Sequence, residues 1–128
     1  MSTPHGTIHW TELNTRDVDA AKAYYSKLCG WSFDTMPMEE GGTYCIGKIG
    51  DQMVAGLFDL TVMPETKDME SHWLTYIAVD DVDAAAKETE ESGGKVYRAP
   101  WDVPGVGRVA IVADPTGAGF GIMTPSDG

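Results

Sequence analysis

Glu12 is a carboxylate in a segment that otherwise reads as a strand, Ile8-His9-Trp10-Thr11-Glu12-Leu13-Asn14. Side chains alternate along a strand, so Glu12 shares a face with Trp10 and Asn14, and His9 takes the opposite face. A carboxylate on an apolar face has the chemistry of a general base or of a cation ligand, because desolvation favours its protonated form. The structural alternative is that Glu12 pairs with a basic side chain or a backbone amide. A second segment, His72-Trp73-Leu74-Thr75-Tyr76-Ile77-Ala78, places Leu74, Tyr76 and Ala78 on one face. The Tyr76 hydroxyl there either donates a proton or a hydrogen bond to a ligand, or packs with its hydroxyl satisfied by the protein. Trp10 is either core or pocket wall. His9 reads as a hydrogen-bonded structural residue, His72 as exposed or at a pocket rim, and His5 as having no role.

These two segments belong to one motif written twice. Asp17-Val18-Asp19-Ala20-Ala21 recurs as Asp81-Val82-Asp83-Ala84-Ala85, an offset of 64 in a chain of 128 residues. The same offset brings Thr11 to Thr75, Leu13 to Ile77, Gly30 to Gly94 and Phe33 to Tyr97. In each copy an alternating strand leads into a helix that starts at an aspartate and stops at a glycine. Helix spacing of Val18, Ala21, Tyr25 and Leu28 predicts a helix over residues 17 to 29. Strands follow at Trp31 to Met36, Thr43 to Ile49 and Gln52 to Leu60. Residues 61 to 71 have neither period and read as a linker. The second copy runs as a strand from His72 to Asp80, a helix from Asp81 to Ser92, and strands at Lys95 to Arg98, Val106 to Ala113 and Ala118 to Thr124. Each half is therefore β-α-β-β-β, too small to bury both faces of its own sheet.

Composition bounds the function. Twenty acidic against nine basic residues give a formal charge of −11, which opposes binding to nucleic acid or to anionic lipid. No apolar run approaches the roughly 20 residues of a membrane span. Residues 1 to 9 carry no apolar secretory core, so the cytoplasm is the expected location. Cys29 and Cys45 form neither a zinc motif nor a disulfide framework and read as buried thiols.

With a strand leading to an aspartate-opened helix in each half, the chain resembles the vicinal oxygen chelate superfamily, the group of glyoxalase I, bleomycin resistance proteins and extradiol dioxygenases. His9-Trp10-Thr11-Glu12-Leu13, Cys29-Gly30-Trp31, Trp73-Leu74-Thr75-Tyr76-Ile77, Gly93-Gly94 and Asp114-Pro115-Thr116-Gly117-Ala118 are similar to a glyoxalase-like branch whose members mostly lack an assigned reaction. The resemblance implies an α+β fold of two tandem β-α-β-β-β modules forming cupped mixed sheets, with helices on the outer face and a ligand cavity inside the cup. It implies one domain over residues 1–128, with module one at about 6–60, a linker at about 61–71 and module two at about 72–125. It also implies homodimerisation.

In the metalloenzymes of this superfamily, His and Glu side chains on the strands hold one divalent ion. Counting from Asp17, Asp81 and Asp114 assigns those positions to Trp10, Leu74 and Gly121, and the 64-residue offset maps the last to Leu57. None has a ligand atom for such an ion, so no metal cofactor is expected. A divalent metal held by another set, such as Glu12 with His72, is the alternative.

The pocket faces then carry Trp10, Glu12, Asn14, Leu57, Leu74, Tyr76 and Gly121, an apolar and aromatic surface with a few polar groups. Met36 to Gly42 and Pro100 to Gly105 are loops that either close the cup or merely turn, the second presenting Trp101. Arg108 follows it as an anchor for an anionic ligand or as a salt-bridge partner. Gly105-Val106-Gly107 opens no helix and does not resemble a phosphate loop. The expected activity is metal-independent binding of an aromatic or amphiphilic small molecule. The alternative is a lyase, isomerase or dioxygenase, metal-dependent or with Glu12 as base and Tyr76 as donor. A ligand-free interaction module is a third class, since fold does not establish chemistry.

Overall fold

Both copies of the repeated pentapeptide open a helix by the same hydrogen bond. The Asp17 carboxylate accepts from the Ala20 amide at 2.9 Å, and the Asp81 carboxylate accepts from the Ala84 amide at 3.1 Å. Each satisfies one amide that the first helical turn leaves unpaired, worth about 1 kcal/mol. Gly30 ends the first helix in the left-handed region at φ 75°, its amide returning to the Ser26 carbonyl.

The computed structural model describes residues 4–37, 43–64, 66–103 and 106–126. Along the chain these form β1 (Ile8–Thr15), α1 (Val18–Cys29), β2 (Ser32–Pro37), β3 (Thr43–Ile49), β4 (Gln52–Asp59), a 3-10 turn at Leu60–Val62, β5 (His72–Ala78), α2 (Val82–Glu91), β6 (Lys95–Val103), β7 (Gly107–Ala113) and β8 (Gly119–Pro125). The α+β class and the doubled β-α-β-β-β order agree with the sequence. Among the described residues no helix is long and apolar enough to cross a membrane.

The chain divides into two compact units, Trp10–Trp73 and Met1–His9 with Leu74–Gly128. In the first, the strands lie in the order β2-β3-β4-β1. Pairing is antiparallel except for β1 with β4, which is parallel and sets Glu12 beside Gly56 and Leu13 beside Leu57. In the second unit the order is β5-β8-β7-β6, and the parallel pair β5 with β8 sets Tyr76 beside Gly121 and Ile77 beside Ile122.

Each helix covers one face of its sheet. Leu13, Cys45 and Leu57 form the core of the first unit, packed against Val18, Ala21, Tyr25 and Phe33. Val82, Ala86, Ala110, Val112 and Ile122 form the core of the second, with Val79, Ala85, Val96 and Phe120 packed against it.

This arrangement corrects several sequence expectations. Leu57 does not share the face of Glu12: it is fully buried on the helix side, and Gly56 holds the position matching Gly121. The repeat offset is 64 for Glu12 and Tyr76 but 65 for Gly56 and Gly121. Register shifts in β6, between Val96 and Arg98 and between Arg98 and Trp101, add residues that β2 lacks. Tyr97 is likewise not the counterpart of half-buried Phe33: Phe33 pairs with Gly47 as Val96 pairs with Val112, an offset of 63 before the shifts. Val96 packs on the core, while Tyr97 is 63% exposed.

Residues 61–71 are more than a linker. The Arg16 guanidinium donates to the carbonyls of Lys67 and Met69, the Arg16 amide donates to the Ser71 hydroxyl, and Leu60 and Met63 are buried. His9 is exposed rather than covered by a helix, and of the two free thiols Cys29 is exposed and only Cys45 buried.

Leu57→Ala removes the most enclosed side chain of the first core and is expected to cost about 3 kcal/mol of unfolding free energy. Urea unfolding followed by tryptophan fluorescence measures it. A cost well below 1 kcal/mol would contradict the assigned register.

Candidate functional site

On the face of β1 turned away from α1, Trp10 and Glu12 meet a residue that sequence reasoning did not single out. The Trp10 indole donates from Nε1 to the Tyr44 hydroxyl at 3.0 Å, and that hydroxyl donates to Glu12 Oε2 at 2.8 Å. Tyr44 comes from β3, and its hydroxyl reaches Glu12 across β4 because Gly56 lies between them in the sheet. A methyl group on Gly56 would overlap the Tyr44 hydroxyl and press on Trp10 Nε1. A glycine inside the strand pattern Gln52–Asp59 was therefore the available signal, since such a residue marks a close approach.

Burial raises Tyr44 far above the ordinary phenol range, and the Glu12 carboxylate beside it raises it further. At neutral pH Tyr44 is thus a fixed donor, and Glu12, only 8% exposed, is an oriented acceptor. Asn14 is buried on the same strand, its amide 3.5 Å from the Glu12 carbonyl. The trio has an indole ring, an oriented carboxylate and a neutral phenol. It can hold a hydrogen-bond donor or a cation beside an aromatic surface, or accept a proton.

In the second unit Leu74, Tyr76 and Ala78 are all buried on one face of β5, as the alternation requires. Gly121 lies under the Tyr76 ring, where a methyl group would overlap it. Gly121 therefore makes room for an aromatic ring rather than offering a ligand atom.

The remaining candidates lie elsewhere. Trp101 is not on a loop, because β6 continues through Val103; it is half-buried, with the Arg98 guanidinium 3.6 Å above its ring. Arg108 makes a two-pronged contact with Asp83, at 2.7 and 3.0 Å, and a further one with Asp102 at 3.1 Å. Its guanidinium holds the Asp83 carboxyl below the usual range. This is the salt-bridge arrangement rather than an anchor waiting for an anion. His72 donates from Nδ1 to the Glu70 carbonyl. Met38 to Gly42 of the first expected loop, and Pro104 and Gly105 of the second, lie outside the described residues.

The strand positions that a divalent ion would use carry an indole at Trp10, an isobutyl group at Leu74 and no side chain at Gly56 or Gly121. This donor set does not fit such an ion. Among the described residues no three His, Cys, Asp or Glu side chains gather where they could hold one.

Comparison with known proteins adds a family. The model of the Glyoxalase/Bleomycin resistance protein/Dioxygenase superfamily matches residues 7–122. CFP32 of Mycobacterium tuberculosis, named provisionally as a glyoxylase, is 38% identical over 121 residues, covering 94% of this chain and 45% of that protein. The anthracycline biosynthesis protein DnrV of Streptomyces peucetius is 32% identical over 127 residues, covering 91% and 46%. The chain thus spans about half the length of the curated relatives it matches. Among solved structures, a methylmalonyl-CoA epimerase in complex with methylmalonyl-CoA and NH4+ has a TM-score of 0.70 at 19% identity over 97% of both chains. The Streptomyces coelicolor epimerase in complex with 2-nitronate-propionyl-CoA has a TM-score of 0.70 at 20% identity, again over 97% of both. At these identities the likeness shows the fold alone.

Tyr44→Phe leaves Glu12 without its phenol donor and is expected to cost roughly 1 to 3 kcal/mol. The native chain keeps the Tyr44 proton that the unfolded chain releases near pH 10, so this contribution is full below that pH and is lost as pH rises beyond it. Unfolding free energy of the wild type should therefore fall more steeply above about pH 10 than that of Tyr44→Phe. Parallel slopes in denaturant titrations at pH 8 to 11 would contradict the burial of this phenol.

Proposed function

The chain belongs to the Glyoxalase/Bleomycin resistance protein/Dioxygenase superfamily, and on that premise we propose that it binds a small aromatic or amphiphilic molecule without a metal ion. The ligand rests on the strand face carrying Trp10, Glu12, Asn14 and Tyr44. The observation that carries this reading is the hydrogen-bonded series from Trp10 through Tyr44 to Glu12, which fixes a carboxylate beside a half-buried indole. Such a face binds a ring by stacking and apolar burial, and orients it through one hydrogen bond to the carboxylate.

Metal independence is supported by the residues themselves, since Trp10, Leu74, Gly56 and Gly121 supply no imidazole or carboxylate. An aromatic ligand is supported by the name of one relative, which ties that protein to anthracycline biosynthesis. Homodimerisation is supported by α1, which buries none of its residues and exposes Tyr24 and Leu28. A reducing compartment such as the cytoplasm suits the exposed Cys29 thiol.

The same hydrogen bond favours a second reading, catalysis with Glu12 as general base, because an oriented carboxylate is what proton abstraction requires. Glu12→Gln separates the two. In the binding reading it weakens the ligand and leaves no turnover to lose; in the catalytic reading it abolishes turnover while the substrate still binds.

Titration of the protein with an anthracycline aglycone, which carries no amine, followed by tryptophan quenching with metal chelated throughout, should saturate at one ligand per chain. Trp10→Ala is expected to weaken binding by about tenfold or more, the loss of one stacked ring. Binding that appears only on adding a divalent metal, or is unaffected by both Trp10→Ala and Glu12→Gln, would overturn the reading.

A further inference from the structure

The two copies fill the space between helix and sheet differently. In the first unit the Tyr25 ring packs against the core of Leu13, Cys45 and Leu57. In the second copy Thr89 stands at that helical position, 64 residues on, and its hydroxyl is turned back to the Ala85 carbonyl at 2.8 Å. Ala55 of the first copy is matched by Phe120, but Phe120 is only half-buried and serves as floor rather than filling. A groove of about 470 Å³ opens there, with Ile77, Val79 and Phe120 as its floor and Ala84, Ala85 and Thr89 as its helical wall.

The rim has one sign of charge. Asp80, Asp81 and Glu88 line it, and no Lys or Arg does. Asp81 is held by the Ala84 amide and Glu88 accepts from the Ser92 hydroxyl, but both remain exposed carboxylates in a chain of formal charge −11. His5, also on the rim, accepts the Asp80 amide through Nδ1 at 3.0 Å, and that nitrogen lies 3.7 Å from the Asp80 carboxylate.

We propose that this groove is a second ligand site, separate from the strand face of Glu12, and that it takes an aromatic ammonium ion. The ring occupies the space that Tyr25 fills in the first copy, and the ammonium lies at Asp80 and Glu88. Apolar walls reward burial of the ring, and the acidic rim selects a cation over an anion of the same shape. A ring without charge gains only the first contribution, and an alkylammonium without a ring only the second.

The test is a titration of the 128-residue chain with 2-phenylethylammonium, followed by amide chemical shifts, with phenylacetate and n-butylammonium as comparators. Saturable shifts centred on Val79, Asp80, Ala84, Ala85 and Thr89 are expected, with neither comparator saturating in the same range. Thr89→Tyr restores the ring of the first copy and should weaken binding by about tenfold or more. The exposed pair Asp80→Asn with Glu88→Gln should weaken it severalfold and flatten its salt dependence, which decides the matter if Thr89→Tyr does not fold. Phenylacetate binding equally well, a double variant binding like wild type, or shifts centred on Trp10 and Tyr44 would overturn the proposal. Glu12→Gln should leave this site unchanged, so its failure and that of the strand-face reading are distinguishable.

Discussion

A parallel pair of strands cannot be closed by a hairpin, and in both copies the first strand pairs in parallel with the fourth. The chain must therefore cross over, and it does so with one helix and two further strands. One helix covers one face. Because side chains alternate with period two, the register of the parallel pair decides which residues reach the core and which do not. Leu13 and Leu57 face α1, and Glu12 and Gly56 face away. A slip of one residue in β1 would carry the Glu12 carboxylate into the helix-covered core and expel Leu13 from it.

That alternation also explains the glycines. Gly56 and Gly121 occupy matching places beside the first strand of their copies, and each leaves room for a tyrosine. The tyrosines differ in origin. In the first copy Tyr44 enters from β3 and its hydroxyl bonds to Glu12; in the second Tyr76 stands on β5 itself, at the position of Glu12, and its ring lies over Gly121. The repeated backbone supplies the same gap twice, and the side chains use it once for a polar series and once for a ring.

Much of the fold was legible because its signals are local. The aspartate starts, the Gly30 stop and the alternation of Leu74, Tyr76 and Ala78 depend on neighbours in sequence, and they place the helices and the faces of β1 and β5. What was not legible depends on pairing. The repeat offset is 63 where Val96 matches Phe33, and two register shifts inside β6 carry it to 65 beyond Trp101, so neither Tyr97 nor Leu57 stands where a constant offset of 64 would put it. No local pattern announces such a shift, because a bulge changes the partner of a residue and not its own propensity. Tyr44 was missed for the same reason. Its partner Glu12 lies 32 residues away, and only the meeting of β1, β4 and β3 brings them together. Arg108 reads as an anion anchor or a salt bridge until Asp83, 25 residues away, is seen to hold it.

The polar series on β1 is costly to build. Withdrawing a carboxylate from water costs several kcal/mol, which the interactions of Glu12, the Tyr44 hydrogen bond among them, must offset. An apolar side chain at position 12 would avoid the penalty and match the apolar residues at the corresponding positions of β5. The second copy shows such a solution, since Tyr76 takes that place with a ring over Gly121 and no carboxylate. The two copies thus differ where a core needs no difference, and the difference lies in the ability to orient a charge. This difference is in keeping with the ligand chemistry proposed at Glu12, and it invokes no metal ion at the strand positions.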